Sequence, residues 1–294
     1  MSLAALGRRL TRLRTDGAFR KSSNEGVIFG AHALQVLLRT APHAIQHIYH
    51  CGLDVSAIAP LLPPSARLTP VPASLVASAS GLQNSPTTSE QPSLGVQASV
   101  AAVFTLPTPL TAPALLAASP RALIVDRVSD PGNLGTILRT CAALQWAAVL
   151  SRGCCDPFND KVLRAGRGAT FSIPWCWLPQ GSDDGPDALA SVQPPAARTL
   201  TVLLLPQAPR ELSAHVASTR AFQALRCVVG SEAHGLSSAW LAAPQTPLDK
   251  GLEGRSSALV HARLGPLGQQ DGDTVLNASI AAALAMYALT PHSP

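Results

Sequence analysis

The chain has little charge and few aromatics. Of 294 residues, 13% are Asp, Glu, Lys or Arg and 4% are Phe, Trp or Tyr. A nucleic-acid surface built on stacked aromatic platforms is therefore not expected. The 47% hydrophobic content excludes a solvated, disordered chain and is enough to bury a sizeable core. Long uncharged apolar runs are also missing. The run near the C-terminus, Leu276 to Leu289, carries Asn277 and Ser279 and is too short to span a bilayer, so no membrane partner is expected. The six cysteines (Cys51, Cys141, Cys154, Cys155, Cys176 and Cys227) form no CxxC pair, which reads as reduced thiols in an intracellular compartment. There is no GxSxG elbow and no complete GxGxxG, which argues against a serine nucleophile and a nicotinamide cofactor. His43, His47 and His50 have suggestive spacing, but no carboxylate or cysteine set completes a ligand group, so no metal is expected.

What is present is mildly basic. The formal net charge is +5, which permits a nucleic-acid partner without proving one. The first fifteen residues contain no acid. Leu3, Leu6, Leu10 and Leu13 recur at helical spacing among Arg8, Arg9, Arg12 and Arg14. Two readings stand: a mitochondrial presequence, or a first helix with a basic face.

Residues 17–58 read as mixed α/β, with strands at Gly26–Gly30 and Ala44–Tyr49 around a helix at Ala31–Arg39. From Pro60 to Pro92 the composition turns to Pro, Ser, Thr and Ala, as expected of loops around a short helix. Val96–Phe104 reads as the last strand of this domain and Pro107–Pro120 as a linker. From Arg121 onward strands alternate with helices: strands at Ala122–Val125, Ala147–Leu150, Thr199–Leu205 and Arg226–Val229, and helices at Gly135–Leu144, Asp160–Arg164, Glu211–Thr219 and Leu276–Leu289. That alternation predicts a parallel sheet covered on both faces. The expected domains are thus 1–106, a linker at 107–120, and 121–294.

Three constellations could carry chemistry. In Asp126–Thr140, reading DRVSDPGNLGTILRT, a strand runs through a glycine-bearing turn into a helix, placing Asn133 and Arg139 at the carboxyl edge of the sheet, where ligands bind in open α/β folds. The helix start offers free N–H groups to an anion, and Arg139 could reach a phosphate or a developing charge. The bland alternative is a structural turn with a surface arginine. Val228–Ser237, reading VVGSEAHGLS, places Gly230 and Glu232 after another strand; Glu232 could instead simply favour a helix dipole. In Thr274–Leu284, reading TVLNASIAAAL, Asn277 is either a buried polar group demanding a partner or a helix cap.

In this order and near these separations, the three segments resemble the SpoU family of the SPOUT superfamily, RNA ribose 2′-O-methyltransferases, over roughly residues 121–289. Less specifically, Arg20–His50 and Leu94–Ala98 resemble the family's small α/β substrate-binding domain, which is similar to a ribosomal protein. The resemblance implies a parallel sheet with a deep trefoil knot and S-adenosylmethionine bound within the knot. It implies a site completed across a dimer, either a homodimer or a heterodimer with a SpoU paralogue. It implies methylation of RNA, with ribosomal RNA or an assembling ribosomal subunit as partner. Arg139 matches the motif-one arginine tied to catalysis, with Asn133 and Glu232 as further catalytic positions; Gly230, Leu267, Leu276 and Asn277 match the cofactor pocket. The sequence departs from the family at Val275, where a serine is usual and a hydroxyl is lost. Gly265-Pro266-Leu267 only echoes the family's Ile-Pro-Met stretch, and Lys250–His261 reads as an insertion. The alternative reading is therefore a catalytically inactive member acting as an RNA-binding ribosome assembly factor. The expected compartment is the mitochondrion, with the cytoplasm or another RNA-containing compartment as alternative.

Overall fold

The computed structural model describes residues 1–81, 99–179, 185–193, 197–246, 257–264 and 276–290. The chain forms two compact units. One comprises Met1–Thr108 with Asp156–Ser172, the other Pro109–Cys155 with Ile173–Pro294.

In chain order the first unit contains α1 (Leu3–Thr15), α2 (Gly17–Ser23), β1 (Glu25–Phe29), α3 (Ala31–Thr40), β2 (Ile45–Cys51), α4 (Val55–Ile58), β3 (Arg67–Pro70), α5 (Ala73–Ser80) and β4 (Ser99–Thr105). Its sheet has the order β1-β4-β2-β3, with β4 antiparallel to both neighbours and β3 parallel to β2. Leu6, Leu10 and Leu13 of α1 are buried in one core with Val27, Tyr49 and Val103. Packing thus accounts for these three leucines of the stripe, while Leu3 is exposed. Most of the arginines are also engaged: Arg9 pairs with Glu25, Arg12 lies over the Phe19 ring, and Arg14 donates to the Ala79 carbonyl.

Gly26 sits opposite Phe104 in the β1–β4 register, and a Cβ there would overlap the Phe104 ring. That ring is held edge-on against Phe171 at 5.0 Å. Overpacking of this kind costs about 1–3 kcal/mol. Gly26→Ala is expected to lower the urea midpoint accordingly, whereas an unchanged midpoint would mean the ring moves aside freely.

The segment 156–172, expected to belong to the second domain, packs in the first unit. Arg20, 2% exposed, donates to Asp156 from both Nε at 2.9 Å and Nη2 at 2.6 Å. Phe158 and Phe171 complete a ring cluster on Phe104. The segment contains helix α8, within Asp160–Ala165.

The second unit contains α6 (Ala112–Ala118), β5 (Arg121–Val125), α7 (Pro131–Leu144), β6 (Ala147–Leu150), β7 (Trp175–Trp177), α9 (Pro186–Ala190), β8 (Thr199–Leu204), α10 (Ser213–Val216), β9 (Ala224–Val229), α11 (Ser238–Leu241), β10 (Ser257–Ala262) and α12 (Ala278–Leu289). Its sheet is entirely parallel, in the order β10-β8-β9-β5-β6-β7. One face packs Ala122 and Ile124 of β5 and Val228 of β9 against Leu115 and Leu116 of α6, Leu189 of α9 and Trp240 of α11. Helices α7 and α12 pack on each other, and Cys141 meets Met286 at 3.7 Å.

Several expectations need correction. The supposed linker contains α6, whose Ala112, Leu115 and Leu116 are core residues. Pro113 lies in its first turn, where a missing N–H costs nothing. The end of the supposed insertion at Lys250–His261 is the edge strand β10, paired in parallel with β8; 250–256 lie outside the described residues. Glu211–Thr219 is not one helix. Glu211 bridges to Arg263, and α10 begins at Ser213 and passes into a 3₁₀ turn. Two short strands, β3 and β7, lie where none was expected.

Burial holds the pKa of His215 and His261 in this unit, and of His47 in the first, below the ordinary 6.5. The unfolded chain therefore takes up these protons first as pH falls, and the neutral folded form loses ground. Stability is expected to decrease as pH drops through about 6.5. Asp160, held above its ordinary value by burial, acts in the opposite sense lower on the scale. Denaturation midpoints at pH 7.5 and 5.5 provide the check, and a midpoint that is equal or higher at 5.5 contradicts it.

Candidate active site

The motif-one turn leaves β5 through Asp126, which is fully buried and accepts a hydrogen bond from the Ser237 backbone N–H at 2.6 Å. This bond ties the turn after β5 to the loop after β9. Asp130 then caps α7, its Oδ1 accepting from the Asn133 N–H at 2.7 Å, with Pro131 in the first turn. After β9 the chain folds back on itself. Ser231 and Gly235 exchange backbone hydrogen bonds at 3.2 and 2.9 Å, and Gly235 is left-handed at φ 62. Gly230 lies so close beneath this turn that a Cβ would overlap the Gly235 carbonyl. At the third segment Asn277 caps α12. Its Oδ1 accepts from the Ser279 N–H at 2.9 Å and from the Ser279 hydroxyl at 2.6 Å.

These segments meet in one chain of hydrogen bonds. Asn277 Nδ2 donates to Asn133 Oδ1 at 2.9 Å, and Asn133 Nδ2 donates to Glu232 Oε2 at 3.0 Å. Residues 144 and 99 positions apart are thereby joined. The direction is fixed by chemistry. An ionised carboxylate only accepts, so Asn133 must turn its NH₂ toward Glu232 and its oxygen toward Asn277. Asn277 must then turn its NH₂ toward Asn133 and its oxygen toward the start of α12, where N–H groups are free.

Beside this chain lies a cavity of about 350 Å³, framed by the residues after β8 (Leu205, Gln207), the Gly230–Leu236 turn, and Leu276 at the approach to α12. The volume lies in the range usual for small-molecule sites, and the lining is largely apolar with Gln207, Glu232 and His234 as polar points. Such a lining can take the apolar faces of a small molecule and offers it hydrogen-bonding groups at a few points. The cavity sits at the carboxyl ends of β8, β9 and β10, the edge where parallel sheets bind ligands.

Of the residues expected in the site, Gly230, Glu232 and Leu276 line the cavity, and Asn133 and Asn277 join Glu232. Arg139 stands apart. It is exposed on α7, and its side chain makes no hydrogen bond or ion pair among the described residues. Leu267 and Val275 lie outside the described residues, as does Leu94–Ala98. Sequence reasoning misses three contributors. Asp126 and Ser279 position the loops, and Gln207 extends the lining. A signal for Gln207 is present, because it follows the apolar run of β8 and so belongs to the same carboxyl edge.

Residues 120–248 match the SpoU rRNA Methylase family. A stretch of 56 residues is 54% identical to rRNA methyltransferase 3, mitochondrial, of Mus musculus, covering 19% of this chain and 13% of that protein. Another match, over 60 residues at 50% identity, is to the 23S rRNA (guanosine(2553)-2′-O)-methyltransferase RlmP of Bacillus subtilis, covering 20% of this chain and 24% of the relative. The chain thus matches less than a quarter of either relative's length. Among solved structures, the SpoU methyltransferase AviRb from Streptomyces viridochromogenes in complex with AdoMet superposes with a TM-score of 0.67 at 17% identity, over 97% of both chains. That is a likeness of fold. Residues 120–248 are thus similar to the SpoU rRNA Methylase family, and the chain shares its fold with AviRb.

Proposed function

We propose that this protein transfers a methyl group from S-adenosylmethionine to RNA, at a ribose 2′-hydroxyl of ribosomal RNA. The observation that carries the proposal is the joining of Glu232, Asn133 and Asn277 at the rim of the 350 Å³ cavity. The cofactor, when bound, supplies an electrophilic methyl group on a sulfonium. The Gly230 turn and Leu276 would hold it. Asn133 keeps the Glu232 carboxylate oriented at the cavity rim, where it can hold a polar group of cofactor or RNA. Arg139 offers a cationic fork for the substrate phosphate or for the 2′-oxygen as it loses its proton.

Arg139 is not among the cavity residues of its own chain, which suits a site completed by a second subunit. The outer face of α12 offers a docking surface. Ile280, Leu284 and Tyr287, at helical spacing, are 51%, 49% and 59% exposed. We read the protein as a dimer through this face, with the knot of the SPOUT fold around the cavity and the first unit presenting RNA. The compartment proposed is the mitochondrion, as in the name of the mouse relative.

The test is calorimetric titration of S-adenosylmethionine into the purified protein, followed by tritiated methyl transfer to ribosomal RNA and mapping of the product. Stoichiometric binding and a 2′-O-methylated nucleotide are expected. A folded protein that binds no cofactor would sink the enzymatic reading and leave an RNA-binding assembly factor in its place.

A further inference from the structure

We propose that Ser279 is a positioning residue, the fixed end of the hydrogen-bond chain that orients Asn277, Asn133 and Glu232. Its functional meaning rests on the proposed active site, but the geometry stands alone.

An asparagine amide can turn by half a rotation at little cost, so its orientation is set by its partners. At the outer end of the chain, Glu232 is exposed on a loop, where water competes for its carboxylate. At the inner end, Ser279 is 7% exposed in the first turn of α12 and places two donors on one oxygen: its N–H at 2.9 Å and its hydroxyl at 2.6 Å from Asn277 Oδ1. Two donors converging there leave Asn277 only its NH₂ to offer outward. It donates to Asn133 at 2.9 Å, which leaves Asn133 only its NH₂ for Glu232 at 3.0 Å. The acceptor-only carboxylate of Glu232 requires the same direction from the outer end, and the inner end is the one held in a buried helix turn. Each link polarises the next, so losing the innermost donor weakens all of them.

The hydroxyl supplies the shorter of the two bonds, and Ser279→Ala removes it while leaving the backbone donor. The probe is the pair of side-chain NH₂ signals of Asn133 and Asn277 in nitrogen–proton correlation spectra of the full-length protein, without cofactor or RNA. In Ser279→Ala both pairs are expected to move toward the position of solvated asparagine amides. Asn133 does so although Ser279 does not touch it. Ser279→Thr, which keeps the hydroxyl, is expected to hold the Asn133 signals near their original position. A folded Ser279→Ala protein with unchanged Asn133 signals overturns the proposal, since Ser279 would then be a cap and nothing more. Asn277→Asp gives an independent reading, because a carboxylate cannot donate to Asn133; unmoved Asn133 signals there would overturn it equally. On methyl transfer, Ser279→Ala should lower kcat about tenfold, the equivalent of one modest hydrogen bond, with KM for S-adenosylmethionine unchanged. Because the spectra need no catalysis, failure of the methyltransferase reading leaves this test intact.

Discussion

Arg139→Ala is expected to lower RNA methyl transfer by about a hundredfold to a thousandfold, the range seen when one preorganised donor to a developing anion is removed. The fold should not notice. Arg139 is exposed on α7 and engages no partner among the described residues, and surface changes of that kind stay within about 0.5 kcal/mol. Cofactor affinity should also be unaffected, because Arg139 does not line the cavity. The informative result is therefore a split: full binding of S-adenosylmethionine, an unchanged melting temperature, and almost no product. Arg139→Lys should recover little, since a single ammonium cannot reproduce the planar fork. Normal methylation by Arg139→Ala would remove this residue from the mechanism. A melting temperature that falls with activity would instead assign it a structural role. Mixing Arg139→Ala with Glu232→Ala subunits tests the shared site. If each site draws its arginine from one copy and its acid from the other, mixed dimers should recover activity that neither variant has alone.

How much of the fold and the site is legible in the sequence depends on how locally each feature is encoded. Strands β5, β6, β8 and β9 are predominantly apolar runs, and α7 and α12 follow recognisable caps, so all six can be placed from sequence. Helix α6 cannot. Its Pro and Ala content reads as a linker, and only its burial shows Leu115 and Leu116 to be core. Strand β10 is hidden for a different reason. It is an edge strand with alternating burial and a histidine near its end, and it follows a stretch of Gly, Arg and Ser. The placement of 156–172 in the first unit rests on Arg20 and Asp156, 136 positions apart, a tie that no local pattern encodes. At the site the reverse holds. Asn133, Glu232 and Asn277 stand out in the sequence because each follows a strand or opens a helix in a recurring order. The hydrogen bonds that join them, and the part of Ser279 in setting their direction, are properties of three dimensions alone.

The largest loss of stability is expected from Arg226→Ala, at about 3–5 kcal/mol, as when one partner of a buried charged group is removed. Arg226 lies on β9, between β8 and β5, and is 0% exposed. No carboxylate among the described residues pairs with it. It donates to carbonyls instead: Nη1 to Ser119, Pro120 and Leu225 at 3.1, 3.2 and 3.0 Å, and Nη2 to Leu116 at 3.1 Å. Leu116 and Ser119 mark the end of α6, where helical carbonyls lack intrahelical partners and the dipole favours a cation. Burial opposes the charge and pushes its pKa down to about 10, so the group is still cationic at neutral pH. Two effects therefore compete. Removing the side chain relieves the burial of a charge, but it takes the guanidinium donors from the buried Leu116 and Ser119 carbonyls at roughly 1–3 kcal/mol each, and it opens a cavity in a central strand, while the Pro120 carbonyl keeps its bond from the Leu225 N–H at 2.8 Å. The second effect is larger because two helix-end acceptors lose their donor together with the volume of a fully buried side chain. Arg226→Met separates the two parts, since it restores much of the volume and none of the donors. A methionine variant as stable as the parent would show that the carbonyls find water and that the guanidinium contributes little beyond bulk. A methionine variant nearly as damaged as alanine would mean that these donors hold α6 on the sheet. In that case the strain should travel along β9 to the Gly230 turn at its carboxyl end, and cofactor affinity should fall together with stability.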